Sequence, residues 1–196
     1  MDKKNVYFVV SLPRTGTSSL SRMAKIIGLK QRHSPITSFT YLFNNNEYDF
    51  YSDTPIFVPS TIDMICANEN IEPRFIYIDR DFSDVFKSWV NVNLFRNYQH
   101  MVEQYENNQE NISNSMLYDY NAYNESFGDE ILTEENYNKI FSNHKKTITK
   151  KISDYHKKLL MYSFDDGWKP FCDFIGVGIP DEDIPILNKN KMFEKI

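Results

Sequence analysis

Residues 6–19 read VYFVVSLPRTGTSS, and this stretch decides the fold. Val6–Ser11 is a short unbroken run of β-branched and aromatic residues, the pattern of a strand buried on both faces. The polar loop Leu12–Ser19 follows. Beyond it Leu20–Ile27 is amphipathic and stops at Gly28, where a helix can end without side-chain strain. Strand, tight polar loop and helix form the opening unit of an α/β fold.

Working outward, the pattern predicts a short strand at Leu29–His33, a helix at Thr61–Ala67 and a clear strand at Arg74–Asp79 (RFIYID). A helix is predicted over Ser83–Leu94, with Val85, Trp89 and Val92 on one face. Further on come a helix at Glu134–His156, a strand at Leu159–Ser163 and a helix at Gly167–Ile175; Pro180 and Pro185 then mark an extended tail. Ser38–Asn46 follows neither period. Residues from about 106 to 130 are polar, Asn-rich and weakly periodic, which predicts a mobile loop or lid. Strands alternating with helices predict a three-layer α/β/α domain with a mostly parallel central sheet, spanning residues 1–196 as one unit.

A net charge of -5 argues against a general nucleic-acid binder, which needs a basic surface, but leaves room for a local basic pocket. No apolar run reaches membrane-spanning length, and MDKKN leads straight into a strand rather than a secretory leader. With Cys66 and Cys172 far apart, the expectation is a soluble cytoplasmic protein with reduced thiols.

The Leu12–Ser19 loop carries the chemistry. Amides at a helix N-terminus face outward with partial positive charge, and Gly16 lets the backbone approach an anion closely. Thr15, Thr17, Ser18 and Ser19 add hydroxyls, and Arg14 adds a fixed charge. Simple helix capping accounts for one hydroxyl but not for this cluster. The loop lacks the Gly-Lys-Ser/Thr ending of a Walker A motif, which weighs against an ATP- or GTP-hydrolysing enzyme or a small-molecule kinase.

SLPRTGTSSL resembles the 5′-phosphosulfate loop of sulfotransferases that use 3′-phosphoadenosine-5′-phosphosulfate (PAPS), in which Pro-Lys/Arg-Ser/Thr-Gly-Thr-Thr/Ser follows the first strand. FIYIDRDFSDVFKSW resembles that family's 3′-phosphate motif, with Arg80 at a strand end and Ser88 on the next helix. The alternative for Arg80 is a surface pair with Asp81 or Asp84. The tail resembles a subfamily pattern in Asp166, Gly167, Trp168, Pro170, Cys172, Phe174, Gly176, Pro180, Pro185 and Asn188. Gly28, Leu29, His33, Asp53 and Pro55 fit the same subfamily. Trp168, Phe171 and Phe174, at helical spacing, are expected in the core, with Cys172 a buried small hydrophobe.

The resemblance implies a P-loop NTPase-like sulfotransferase fold and a donor site of Pro13, Arg14, Thr15, Gly16, Thr17, Ser18, Ser19, Arg80 and Ser88. It implies transfer of a sulfuryl group from PAPS to a hydroxyl or amine of a small-molecule or carbohydrate acceptor, without a metal. The product is 3′-phosphoadenosine-5′-phosphate (PAP). Arg14 is expected to stabilise the leaving phosphate. His33 is the first candidate for the base, because imidazoles titrate near neutrality, and Asp53 the second, as base or orienter. His144 sits where many members of the subfamily have a histidine and could face the acceptor, but on a helix rich in lysine (Lys145, Lys146, Lys150, Lys151) it is expected at the surface, with the lysines a solvated face or, alternatively, a contact for an anionic acceptor. A protein that binds PAP or PAPS without transfer, acting as an interaction module, is the alternative.

Overall fold

A computed structural model describes residues 3–33, 47–91, 125–126 and 133–187. The chain runs β1 (Lys4–Val9), α1 (Thr17–Ile26), β2 (Gln31–His33), β3 (Phe50–Ser52), α2 (Pro59–Ala67), β4 (Ile71–Ile78), α3 (Phe82–Asn91), α4 (Glu134–Asp154), β5 (Lys158–Tyr162) and α5 (Trp168–Ile175). A short 3-10 turn, Phe164–Asp166, precedes α5. The strands form one sheet in the order β2-β3-β1-β4-β5, and every pairing is parallel. The lid predicted at about 106–130 lies outside the described residues, apart from Glu125 and Ser126, and so do Ser38–Asn46 and Val92.

β1 is central because it pairs on both sides, Tyr7 opposite Phe50 on β3 and opposite Arg74 on β4. Its alternating side chains therefore feed two cores. Val6, Phe8 and Val10 join Tyr51, Phe75 and Tyr77 in packing against Ile62 and Ile65 of α2 and Ile148 and Ile152 of α4. Tyr7 and Val9 join Phe50, Ile76 and Ile78 against Leu20, Met23 and Ala24 of α1 and Phe171 and Cys172 of α5. Helices on both faces of a parallel sheet are what an unbroken apolar strand requires. Trp168, Phe171 and Cys172 are buried as expected, and Phe174 is partly so. No helix among the described residues is long and apolar enough to cross a membrane.

The sequence pattern does not reveal β3. Its three residues, Phe-Tyr-Ser between Asp49 and Asp53, are too few to show a period of two. Pairing with β1 and β2 makes it a strand, not local propensity.

Parallel strands all point their C-terminal ends to one edge. That edge collects the Leu12–Gly16 loop, His33, Asp53 and Arg80. The chain winds first toward β2 on one side of β1 and later toward β4 on the other, so the loop after β1 opens at the topological switch point, where ligands of open α/β sheets bind. Beneath this edge Leu12, Phe57, Val58, Val85, Trp89, Tyr137 and Phe141 form a third buried cluster. Each large apolar side chain buried there contributes about 1.5–3 kcal/mol, against about 0.5–1.5 kcal/mol for an ordinary hydrogen bond. The foundation of the loop is therefore mainly apolar, and hydrogen bonds set its detailed shape.

Candidate active site

The loop is held from several directions. Ser11 Oγ accepts from the Ile78 amide at 2.5 Å, tying the end of β1 to β4. Trp89 Nε1 donates to the Pro13 carbonyl at 2.9 Å, Thr15 Oγ1 to the Leu12 carbonyl at 2.8 Å, and Arg80 Nη1 to the Arg14 carbonyl at 3.0 Å. Arg14 is left-handed (φ 69°), an uncommon conformation for a residue with a side chain, and the bond from Arg80 braces it there. Burial alternates along the loop: Pro13, Thr15, Thr17 and Ser19 are buried, while Arg14, Gly16 and Ser18 keep partial access. Helix α1 starts at Thr17 with no side-chain cap, so its first-turn amides point toward the sheet edge without one.

Gly16 has φ 117°, and a Cβ added to it would run into the ring of Phe164, with Cζ only 2.9 Å away. Left-handed strain and overpacking together predict that Gly16→Ala loses roughly 2–5 kcal/mol. Urea denaturation of the variant checks this, and a loss below about 0.5 kcal/mol would show that the loop and Phe164 yield freely.

The residues of the two sequence motifs meet. Arg14 Nε donates to Ser88 Oγ at 3.1 Å across 74 positions of chain. Arg80 contacts the loop itself, not Asp81 or Asp84. Arg14 thus links the two motifs, bonding Ser88 of α3 through its guanidinium and Arg80 through its carbonyl.

His33 and Asp53 also converge. His33 Nε2 lies 3.0 Å from Ser18 Oγ and 3.3 Å from Asp53 Oδ2, and its Nδ1 lies 2.8 Å from Ser52 Oγ. The Asp53 carboxylate accepts an N–H from Nε2, and the Ser52 hydroxyl, which can donate or accept, meets Nδ1. Asp53 is left-handed (φ 71°), which aspartate tolerates better than most residues, and this turns its carboxylate back toward His33. Ser52, a polar residue at a buried strand end, was not anticipated; only its place beside Asp53 marks it.

Ser19 lies deeper than its place in the motif implies. Its Oγ accepts from the Leu187 amide at 2.9 Å, so the C-terminal tail crosses α1 at this point. Trp168 Nε1 donates to the Glu182 carbonyl at 2.7 Å and pins the same tail.

His144 corrects the expectation of a surface histidine. It is 5% exposed, and α4 turns it inward in a stripe with Tyr137, Phe141, Ile148 and Ile152. The lysines around it follow the outer face, where Lys145 pairs with Asp79 and Lys151 with Asp63. The helical stripe was the available signal, masked by the charge of its neighbours. Burial pulls the pKa of His144 from 6.5 down to about 4. The unfolded chain then takes up a proton below pH 6.5 that the native state refuses until about pH 4, so stability falls as pH falls through that window. The contribution is about 3 kcal/mol. Denaturation from pH 7 to 4.5 is expected to show this loss, and His144→Gln to flatten it.

The sulfotransferase domain family matches residues 38–193, well over half the chain, including Asp53, Arg80, Ser88 and the region of α4 and α5. The chain belongs to the sulfotransferase family. A five-stranded parallel sheet with helices on both faces is consistent with the P-loop-like fold of such sulfotransferases. The match begins after the Pro13–Ser19 loop, which therefore rests on its own motif and geometry. No curated protein matches the chain.

Proposed function

We propose that this sulfotransferase takes its sulfuryl group from PAPS and passes it to a hydroxyl or amine, with the donor lying across the β1 loop and the start of α3. The observation that carries this is the meeting of Arg14, Ser88 and Arg80, with a bond of 3.1 Å from Arg14 to Ser88 and one of 3.0 Å from Arg80 to the Arg14 carbonyl. A donor with phosphate groups at both ends of a ribose needs two anion sites a few ångströms apart, and these motifs supply them side by side. Gly16, the amides of Thr17 and Ser18, and Arg14 would hold the 5′-phosphosulfate. Arg80 and Ser88 would hold the 3′-phosphate.

In the chemical step an oxygen or nitrogen of the acceptor forms a bond to sulfur as the bridging S–O bond breaks, and PAP leaves with the electron pair. Arg14 and the loop amides offset the charge growing on the leaving phosphate. The acceptor's proton passes to the His33–Asp53 pair. Both ring nitrogens of His33 are already engaged, so the Asp53 carboxylate receives the proton and the Nε2–H of His33 orients it. Calorimetric titration with PAP tests the donor site. Micromolar binding by the folded protein is expected, and no binding would remove PAPS as the donor.

A further inference from the structure

We propose that His33 is a positioning residue for the donor as well as for the base: it holds the Ser18 side chain so that the serine O–H is left to donate to an anion in the β1 loop, and through that hydroxyl the ring senses whether the loop is occupied. This deepens the function proposed above and rests on it for the identity of the anion.

Ser18 stands in the first turn of α1, which starts at Thr17 with no side-chain cap. Serines at such a place commonly turn back onto backbone groups. Ser18 does not: among the described residues its hydroxyl bonds His33 Nε2, at 3.0 Å, and nothing else. The reason is the way α1 runs along β2. Ser18 and Ser21, three positions apart, share a face of the helix. Gln31 and His33, two positions apart, share a face of the strand. Ser21 Oγ donates to Gln31 Oε1 at 2.6 Å, so helix and strand are tied at two levels. The Ser21–Gln31 level fastens one element to the other, and the Ser18–His33 level lies at the sheet edge beside the loop.

His33 is also held from its far side, with Nδ1 2.8 Å from the Oγ of buried Ser52. Of the two oxygens near Nε2, Ser18 Oγ is the nearer, at 3.0 Å against 3.3 Å for Asp53 Oδ2. An oxygen that accepts from Nε2 does not give its own proton to the same nitrogen, so the Ser18 O–H turns away from the ring. Ser18 is partly open, and that O–H stands beside the uncapped amides of the first turn. A phosphate or sulfate oxygen is the acceptor this arrangement suits. Once an anion accepts from Ser18, the serine oxygen becomes a better acceptor in turn, and the Nε2–H bond to it tightens. The coupling is reciprocal, so loss of the ring weakens anion binding by way of Ser18.

Calorimetry on wild type, Ser18→Ala, His33→Ala and the double variant tests this with two ligands, PAP and adenosine 3′-phosphate, which lacks the 5′-phosphate. Ser18→Ala is expected to weaken PAP by about 10-fold or more, as for a hydrogen bond to a charged group. His33→Ala is expected to weaken it by about 3-fold to 10-fold, because the serine is no longer pre-set. The double variant should bind PAP no more weakly than Ser18→Ala alone. Adenosine 3′-phosphate should bind all four proteins alike. Wild-type PAP affinity in His33→Ala, losses that multiply in the double variant, or an equal loss with both ligands would overturn the proposal. Should His33→Ala fail to fold, nitrogen-15 spectra of the His33 ring decide the matter. Saturating PAP is expected to move the Nε2 signal in the wild type and in Ser21→Ala, which lacks only the other tie between α1 and β2, but not in Ser18→Ala. A wild-type ring blind to bound PAP overturns the coupling alone, whereas a wild type that binds no PAP removes the donor assignment and this inference with it.

Discussion

Replacing Arg80 by alanine is expected to weaken PAP binding by roughly 100-fold or more, the largest effect of any single donor-site change. Two losses combine at this residue. The first is direct: a guanidinium paired with a phosphate dianion makes charge-assisted, often bidentate bonds, and removing it leaves the phosphate partly desolvated without a partner. The second runs through the loop. Arg80 donates to the Arg14 carbonyl at 3.0 Å, and Arg14 is held left-handed at φ 69°. Without the brace the loop relaxes, and the anion site proposed for its amides loses its shape. The two losses separate with a ligand that lacks the 3′-phosphate. Adenosine 5′-phosphosulfate should lose only the loop contribution, so Arg80→Ala weakens it far less than PAP. Arg80→Lys keeps charge but not the planar fork, and is expected to fall between. Calorimetry on the three proteins with both ligands measures all of this. If Arg80→Ala binds PAP as the wild type does, Arg80 is a structural brace and the 3′-phosphate lies elsewhere.

Much of this candidate site is legible in the sequence because its residues sit in contiguous motifs whose chemistry is local. A strand, a Pro-Arg-Thr-Gly-Thr loop and a helix can be read from about fifteen residues, and Arg80 from its strand end. What could not be read depends on distance across the fold. Nothing in the sequence says that Arg14 meets Ser88 or that the tail amide of Leu187 reaches Ser19, since both contacts arise from the winding of the sheet. β3 was invisible because its identity lies in pairing, and with it the location of Asp53 at a strand end beside His33. The sequence points His144 to the surface because neighbouring lysines mask its place in the apolar stripe. The helical period that buries Tyr137, Phe141, Ile148 and Ile152 passes straight through it. Ser19 shows the opposite case: the motif names the residue, but local geometry turns its oxygen to the tail.

Asp53→Asn is expected to lower sulfuryl transfer by about 100-fold to 10,000-fold, the range for removing a positioned acid-base group, while leaving affinity for PAP intact. The substitution is well suited because asparagine tolerates the left-handed region about as well as aspartate does, so φ 71° is preserved and only the charge is removed. Alanine would add backbone strain and blur the result. The measurement is transfer of labelled sulfate from PAPS to whichever acceptor a screen of alcohols, phenols, amines and sugars reveals, with PAP affinity measured on the same sample. His33→Ala provides the counterpart. If Asp53 takes the proton and His33 orients it, Asp53→Asn costs more than His33→Ala, since an unoriented carboxylate still accepts a proton. The reverse order would make the imidazole the base, with Ser52 and Asp53 fixing its tautomer through contacts of 2.8 and 3.3 Å. Equal losses would mean that the pair works as one unit, as coupled groups do. Full activity in both variants would place the base outside this cluster and leave the convergence of Ser18, His33, Ser52 and Asp53 as a structural knot at the end of the sheet.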